Sequence, residues 1–272
     1  INTKFKPFNS PLSFKRYEKI SKILESERPE VKRVADVGCG KGSMIRYLKN
    51  VQSIEEIKFL EKDKYIAKQC EMVVRPLNYD YIFGRYNPLD IHVFEGSILE
   101  PDMRFQNLDA IICIELIEHL EINELERFVS QIFGYFSPRL VYITTPNRDY
   151  NQLFPNYEPE MMRHVDHKFE FSQFEFVDWC RRVVQMFPNY QYDITGVGDP
   201  PSDKQEYGFC TQISVFRKTN SNLTECPPII NYHLLSSYHI EKKPQKTSLD
   251  STFDWTIVKV EPNSETCEEP TD

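Results

Sequence analysis

Arg33-Val34-Ala35-Asp36-Val37-Gly38-Cys39-Gly40-Lys41-Gly42-Ser43 begins as a short apolar run and breaks into three glycines at alternate positions. The run from Arg33 to Val37 reads as a strand, and Met44 to Asn50 reads as a helix. Strand, glycine turn and helix together form an arrangement that receives nucleotide-like ligands. Glycine lets the backbone approach a ligand closely, and the helix start favours polar or anionic groups. A Walker loop is excluded, because Gly40-Lys41-Gly42-Ser43 lacks the long spacing before the lysine. The dinucleotide fingerprint is also not met, since Gly38, Gly40 and Gly42 are evenly spaced. Asp36 followed by G-x-G-x-G leaves a different cofactor class open.

Working outward, Ile57-Lys58-Phe59-Leu60 reads as the next strand and ends in Glu61. An acidic residue roughly 20 positions after a glycine turn suits recognition of ribose hydroxyls; Asp63 is the neighbouring alternative. Residues 64–75 have a helical pattern, and residues 79–88 form an aromatic insertion broken by Gly and Pro. Ile91-His92-Val93-Phe94 is a third strand, followed by Glu95-Gly96-Ser97, where Ser97 also suits a turn or helix cap. The order so far, with Asp36 ahead of the glycines, resembles the first motif of class I S-adenosylmethionine-dependent methyltransferases.

The apolar run from Leu108 to Ile114 delivers Glu115-Leu116-Ile117-Glu118-His119 to the carboxyl edge of the sheet, where open α/β folds bind ligands. If that turn is helical, Glu115, Glu118 and His119 share one face and form a metal half-site. Acidic residues at a helix start also suit the helix dipole, so the pattern alone leaves both readings open. A helix is expected over 121–134 and a fifth strand over Arg139 to Thr145. The connection 147–170 then carries His164 and His167, with Asp166 between them. A connection this long inside a compact domain is usually functional or disordered, and two of the six histidines favour the first. Carboxylates with imidazoles suit Mn²⁺, Co²⁺ or Mg²⁺; structural zinc usually recruits thiolates, and no cysteine pair here has that spacing. Ser172 is placed to cap a helix over 173–186, and strands are expected over 190–197 and 209–217.

The expectation is therefore an α/β fold: a Rossmann-like class I methyltransferase with a seven-stranded sheet and helices on both faces. Residues 1–33 form a basic lead-in and helix packed on the domain, with nine Lys/Arg against four Glu. Residues 34–218 form the domain. Residues 219–272, with four Lys against nine acids, read as a mostly disordered acidic tail whose removal leaves catalysis intact. The 272-residue chain is 40% hydrophobic and 13% aromatic, enough for a sizeable core. A net charge of −8 argues against binding nucleic acid by bulk attraction, although the basic N-terminal segment offers a local track. Seven scattered cysteines suggest reduced thiols and a cytoplasmic protein. No apolar stretch approaches the length of a membrane span, and a monomer is expected.

Cys113-Ile114-Glu115-Leu116-Ile117-Glu118-His119-Leu120, Thr144-Thr145-Pro146-Asn147 and Asp166-His167-Lys168-Phe169-Glu170-Phe171 together resemble the Hua-enhancer-type small-RNA methyltransferases. The animal members, which act on Piwi-interacting RNAs, are the most similar. Gly196-Val197-Gly198-Asp199-Pro200-Pro201 and Gly208-Phe209-Cys210-Thr211-Gln212 fit the same pattern, and the resemblance covers roughly residues 5–218. It implies methylation of the 2′-hydroxyl on the 3′-terminal nucleotide of single-stranded small RNA, with an Argonaute/Piwi-type protein presenting the RNA. It further implies a divalent metal on Glu115, Glu118, His119 and His167, and S-adenosylmethionine beside Asp36, Gly38, Gly40, Glu61, Ser97 and Ile114. His119 or His164 is the proton acceptor. Three positions depart from the family pattern. Ser10 replaces the first proline of an F-x-P-P lead-in, Glu61 stands where Asp is commoner, and Phe171 replaces Trp. The rival readings are a metal-dependent O-methyltransferase acting on a small vicinal diol, and a non-catalytic RNA-binding module.

Overall fold

The structure is a computed structural model, and it describes residues 11–158, 161–219 and 227–243. Five parallel strands form the centre of the sheet: β1 (Arg33–Val37), β2 (Glu56–Glu61), β3 (Leu89–Glu95), β4 (Ala110–Ile114) and β5 (Leu140–Pro146). Three strands run antiparallel to their neighbours: β6 (Tyr190–Val197), β7 (Thr211–Lys218) and β8 (His233–Ile240). The sheet order is β6-β7-β5-β4-β1-β2-β3-β8. Strand order reverses at β1, so the crevice beyond β1 and β4 is the ligand position expected of such a sheet.

Helices cover both faces, as the alternation of apolar runs and helical periods requires. On one face lie α1 (Leu12–Ser26), α2 (Ile45–Leu48) and α3 (Lys64–Val74), and on the other α5 (Leu125–Val129) and α6 (Gln173–Met186); the short α4 (Asn78–Phe83) forms the insertion before β3. Every residue of β5 is buried, and in β1 only Arg33 is exposed. That is why both strands read as continuous apolar runs rather than alternating ones. Ile20 and Leu24 fix α1 into the core beside Leu48. Asp63 caps α3 by accepting from the amides of Tyr65 and Ile66. Ser172 and Glu175 close a reciprocal capping box on α6.

Pro11 occupies the cap position of α1. Ser10 and the F-x-P-P lead-in lie outside the described residues. Three local expectations change. The single helix expected over 121–134 is a 3₁₀ turn at Ile122–Glu124, then α5, then a π-helical segment over Ser130–Phe136. The sheet has eight strands, because residues 233–240 pair antiparallel with β3. The tail reading therefore fails for this segment, while residues 220–226 and 244–272 lie outside the described set.

The missed strand has a non-local cause. The Asp102 carboxylate, fully buried, accepts from the amides of Asn231 and Tyr232 and from Arg104. Tyr232 lies against Gly96, where a Cβ would come within 2.4 Å of its ring. A register shift at Val93/Phe94 breaks the alternation that would have marked β8 in the sequence.

Candidate active site

The carboxyl ends of β1, β2, β4 and β5 meet at one crevice. Gly38 has φ +65°, and a Cβ there would lie 2.6 Å from Leu116, so glycine is required on both counts. The amides of Gly38 and Cys39 donate to the Leu60 carbonyl at 2.8 and 3.1 Å, tying the glycine turn to the end of β2. Glu61, the last residue of β2, accepts from the amides of Gly40 and Asp63, each at 3.0 Å. Its carboxylate thus stiffens the turn in addition to facing the crevice. Asp36 is buried beside Glu61; burial first, and the Glu61 charge second, push its carboxyl up to about 8.

A cavity of about 700 Å³ opens here. Gly38, Leu60, Glu61 and Asp63 form one wall, Gly96, Ser97 and Ile98 another, and Glu115, His119 and Lys168 the far end. Asp36, Gly40 and Ile114 do not line it. Ser97 lines the cavity and also makes a turn, its hydroxyl accepting from Leu99 N–H at 3.3 Å.

His119 links this lining to a cluster of titratable groups. Glu118, His119 and His167 place one ligand atom each within 4.8 Å of one another. Glu118 and His119 arrive on a 3₁₀ turn, Ile117–His119, directly after β4. His167 arrives from the connection after β5, which is docked by a bond from Lys168 N–H to the Glu118 carbonyl at 2.8 Å. Burial, and then the Glu115 charge, raise the Glu118 carboxyl well above the usual carboxylate range. One of its oxygens accepts from Thr145 Oγ1 at 3.2 Å; the other, Oε1, is buried without a partner among the described residues. A buried carboxylate with an orphaned oxygen, clustered with two imidazoles, is a donor set that a divalent cation satisfies. Burial, reinforced by His167, depresses His119 and keeps its ring neutral, as a ligand or proton acceptor requires.

Glu115 departs from the expected shared face. It has φ +49°, in the left-handed region, so no continuous helical turn runs from it to His119. Its carboxylate accepts from Thr144 Oγ1 at 2.9 Å and pairs with Arg16 of α1 at 3.2 Å. Glu115 therefore borders the cavity but stands outside the three-residue cluster. His164 also stands outside it. Its side chain is 57% exposed, and its ring centroid lies 5.7 Å from that of His167 and 6.2 Å from that of His119.

Three residues with no assigned role in the sequence reading hold the cluster in place. Glu170 Oε1 sits 2.6 Å from His167 Nδ1, and Glu170 Oε2 accepts from Asn151 at 2.6 Å. Although burial opposes it, the hydrogen bonds from His167, Asn151 and Arg163 keep Glu170 below the usual carboxylate range. An anionic Glu170 makes His167 Nδ1 the donor and leaves Nε2 for a ligand. Arg163 bonds Asn151 and the carbonyls of Asn147 and Cys210, anchoring the connection to β5 and β7. The signal for Glu170 was its spacing three residues after His167; Arg163 and Asn151 carried none.

A methyltransferase-domain family matches residues 13–183. The small RNA 2′-O-methyltransferase of Drosophila melanogaster is 32% identical, over 93% of this chain and 69% of its own length. That of Xenopus tropicalis is 39% identical, over 80% of this chain and 57% of its own length. A crystal structure of the small RNA methyltransferase HEN1 superposes with a TM-score of 0.72 at 26% identity, over 86% of this chain and 28% of that one. The chain thus spans between about half and two thirds of the length of its fly and vertebrate relatives. The sheet order, the glycine-turn cavity and this likeness over most of the chain agree: the chain belongs to the small RNA 2′-O-methyltransferase family.

Proposed function

We propose that this chain transfers a methyl group from S-adenosylmethionine to the 2′-hydroxyl of the 3′-terminal nucleotide of a small RNA, with a divalent metal at Glu118, His119 and His167. The observation that carries this reading is the clustering of those three residues beside the glycine-turn cavity, whose wall His119 shares. A methyl donor in the cavity would face an acceptor held at the cluster. The unpartnered buried oxygen of Glu118 supports the metal, and the mixed oxygen and nitrogen donors favour Mn²⁺ or Co²⁺ over Mg²⁺.

The chain's own residues supply positioning and proton handling. Glu61, Gly38 and Ser97 line the cofactor's place, with the Glu61 carboxylate suited to ribose hydroxyls. When bound, a divalent cation supplies Lewis acidity toward the vicinal hydroxyls of a terminal ribose. Glu170 orients His167 through Nδ1, and Thr145 orients Glu118. His164, exposed and outside the cluster, accepts the proton that leaves the 2′-oxygen, because the acceptor nitrogen of His119 would be taken by the cation. Selection for an RNA end then comes from the diol rather than from base identity. Presentation of the RNA by an Argonaute/Piwi-type protein and a cytoplasmic location belong to the same proposal, through the family resemblance.

The deciding experiment is methyl transfer from labelled cofactor to a synthetic RNA ending in a 2′,3′-diol, against the same RNA ending in a 3′-deoxy nucleotide. The diol RNA is expected to be methylated in a metal-dependent way and its twin to be poor. Equal transfer to both would refute the role of the diol.

A further inference from the structure

We infer that Arg16 competes with a divalent cation for Glu115, so that α1 sets how tightly the site takes its metal. The inference rests on the proposed metal reading and adds a residue to it.

Arg16 lies on α1, 99 positions from Glu115 in sequence, yet its Nη1 sits 3.2 Å from Glu115 Oε2 and 3.3 Å from Thr211 Oγ1. Both side chains are mostly covered, at 15% and 21% exposure. The pair is therefore less screened than a surface ion pair and stronger in effect. The other oxygen of Glu115 accepts from Thr144. Each carboxylate oxygen of Glu115 thus has a partner, whereas Glu118 retains a buried oxygen with none among the described residues. The two carboxylates stand three residues apart just beyond β4.

Two effects of Arg16 act in the same direction. Its guanidinium occupies the Oε2 lone pairs that a cation would use, and Glu115 joins a metal shell with that oxygen only by loosening this ion pair. Its positive charge, 3.2 Å from a Glu115 that borders the cavity, also disfavours a cation there by Coulomb repulsion. A left-handed backbone at Glu115 fixes the Cα, so the choice of partner rests with the side chain. Because Ile20 and Leu24 of the same helix are buried in the core, Arg16 is delivered by a fixed element and not by a mobile arm. Arg16 is accordingly a positioning residue, acting through Glu115.

The test is calorimetric titration of Mn²⁺ into the full chain, without RNA or cofactor, for the native protein and for Arg16→Met, Arg16→Lys and Glu118→Gln. Arg16→Met keeps the aliphatic stem and removes the charge. It is expected to bind Mn²⁺ about tenfold more tightly, the size of effect a close, partly covered charge pair supports. Arg16→Lys, which restores the charge, is expected to return affinity to near the native value. The rise in thermal midpoint on adding Mn²⁺ should be larger for Arg16→Met than for the native chain. Unchanged or weaker Mn²⁺ binding by Arg16→Met, with Glu118→Gln losing it, would overturn the competition while leaving the metal site standing. If Glu118→Gln binds as the native chain does, or the native chain binds none, the metal reading itself falls and the competition with it.

Discussion

Replacing Asp36 by Asn is expected to stabilise the folded protein, by an amount that grows with pH. Asp36 is buried at the end of β1 and faces Glu61, with Cys39, Cys113 and the Tyr17 hydroxyl also close enough to feel its charge. Burial, then Glu61, push its carboxyl from an ordinary 3.8 up to about 8. The folded chain therefore holds a proton on Asp36 that the unfolded chain releases through most of this range. The stability linked to that proton is fully present below about pH 4 and is lost progressively as pH rises toward about 8. At about 1.4 kcal/mol per pH unit, the difference at pH 7 reaches about 4 kcal/mol as an upper figure. Asn has the same shape and does not titrate, so the variant escapes this loss. For a domain of this size that corresponds to a rise of roughly 10 °C in thermal midpoint at pH 7. The assay is thermal unfolding of both proteins, without cofactor, from pH 4 to pH 8. The gap should close near pH 4 and widen steadily above it. A gap that does not change with pH, or an Asn variant less stable at pH 8 than the native chain, would refute the reasoning.

The histidines can be separated by metal titrations of turnover. His167→Ala is expected to abolish metal-dependent activity, while His164→Ala keeps reduced but still metal-dependent turnover, because only His167 lies in the three-residue cluster and His164 serves the proton alone; the reverse result would reassign the ligand. Glu170→Gln keeps the shape of the residue that orients His167 but removes its charge, so Mn²⁺ affinity should fall about tenfold in a calorimetric titration. An unaltered affinity would show that the neutral amide serves equally well. Ending the chain at residue 219 removes β8 and the buried Tyr232 and Ile240. It should destabilise the domain by roughly 4 kcal/mol relative to a chain ending at 243, read by urea unfolding. Equal midpoints would show that the strand adds nothing to stability.

The sequence by itself determined the elements whose signals are local. Apolar runs buried on both faces gave the central strands, and Arg33 to Gly42 gave the strand and glycine turn in order. Ser172 capped its helix as its spacing with Glu175 required. Glu61, Ser97, Glu115 and His119 were legible as crevice residues because each follows the carboxyl end of a parallel strand, where such sheets open. Tertiary structure decided everything that depends on partners far away in the chain. The eighth strand exists because β3 offers an edge and Asp102 anchors Tyr232, neither of which leaves a mark on residues 233–240. The shared helical face expected for Glu115, Glu118 and His119 fails because the backbone turns left-handed at Glu115, and Arg16 from another element takes its carboxylate. His167 reaches Glu118 because the neighbouring Lys168 N–H donates to the Glu118 carbonyl, and Glu170, Asn151 and Arg163 set its donor atom. A charge balance among groups so widely separated in sequence is fixed only when the folded chain brings them within a few ångströms and excludes water, which gives each pairing its strength.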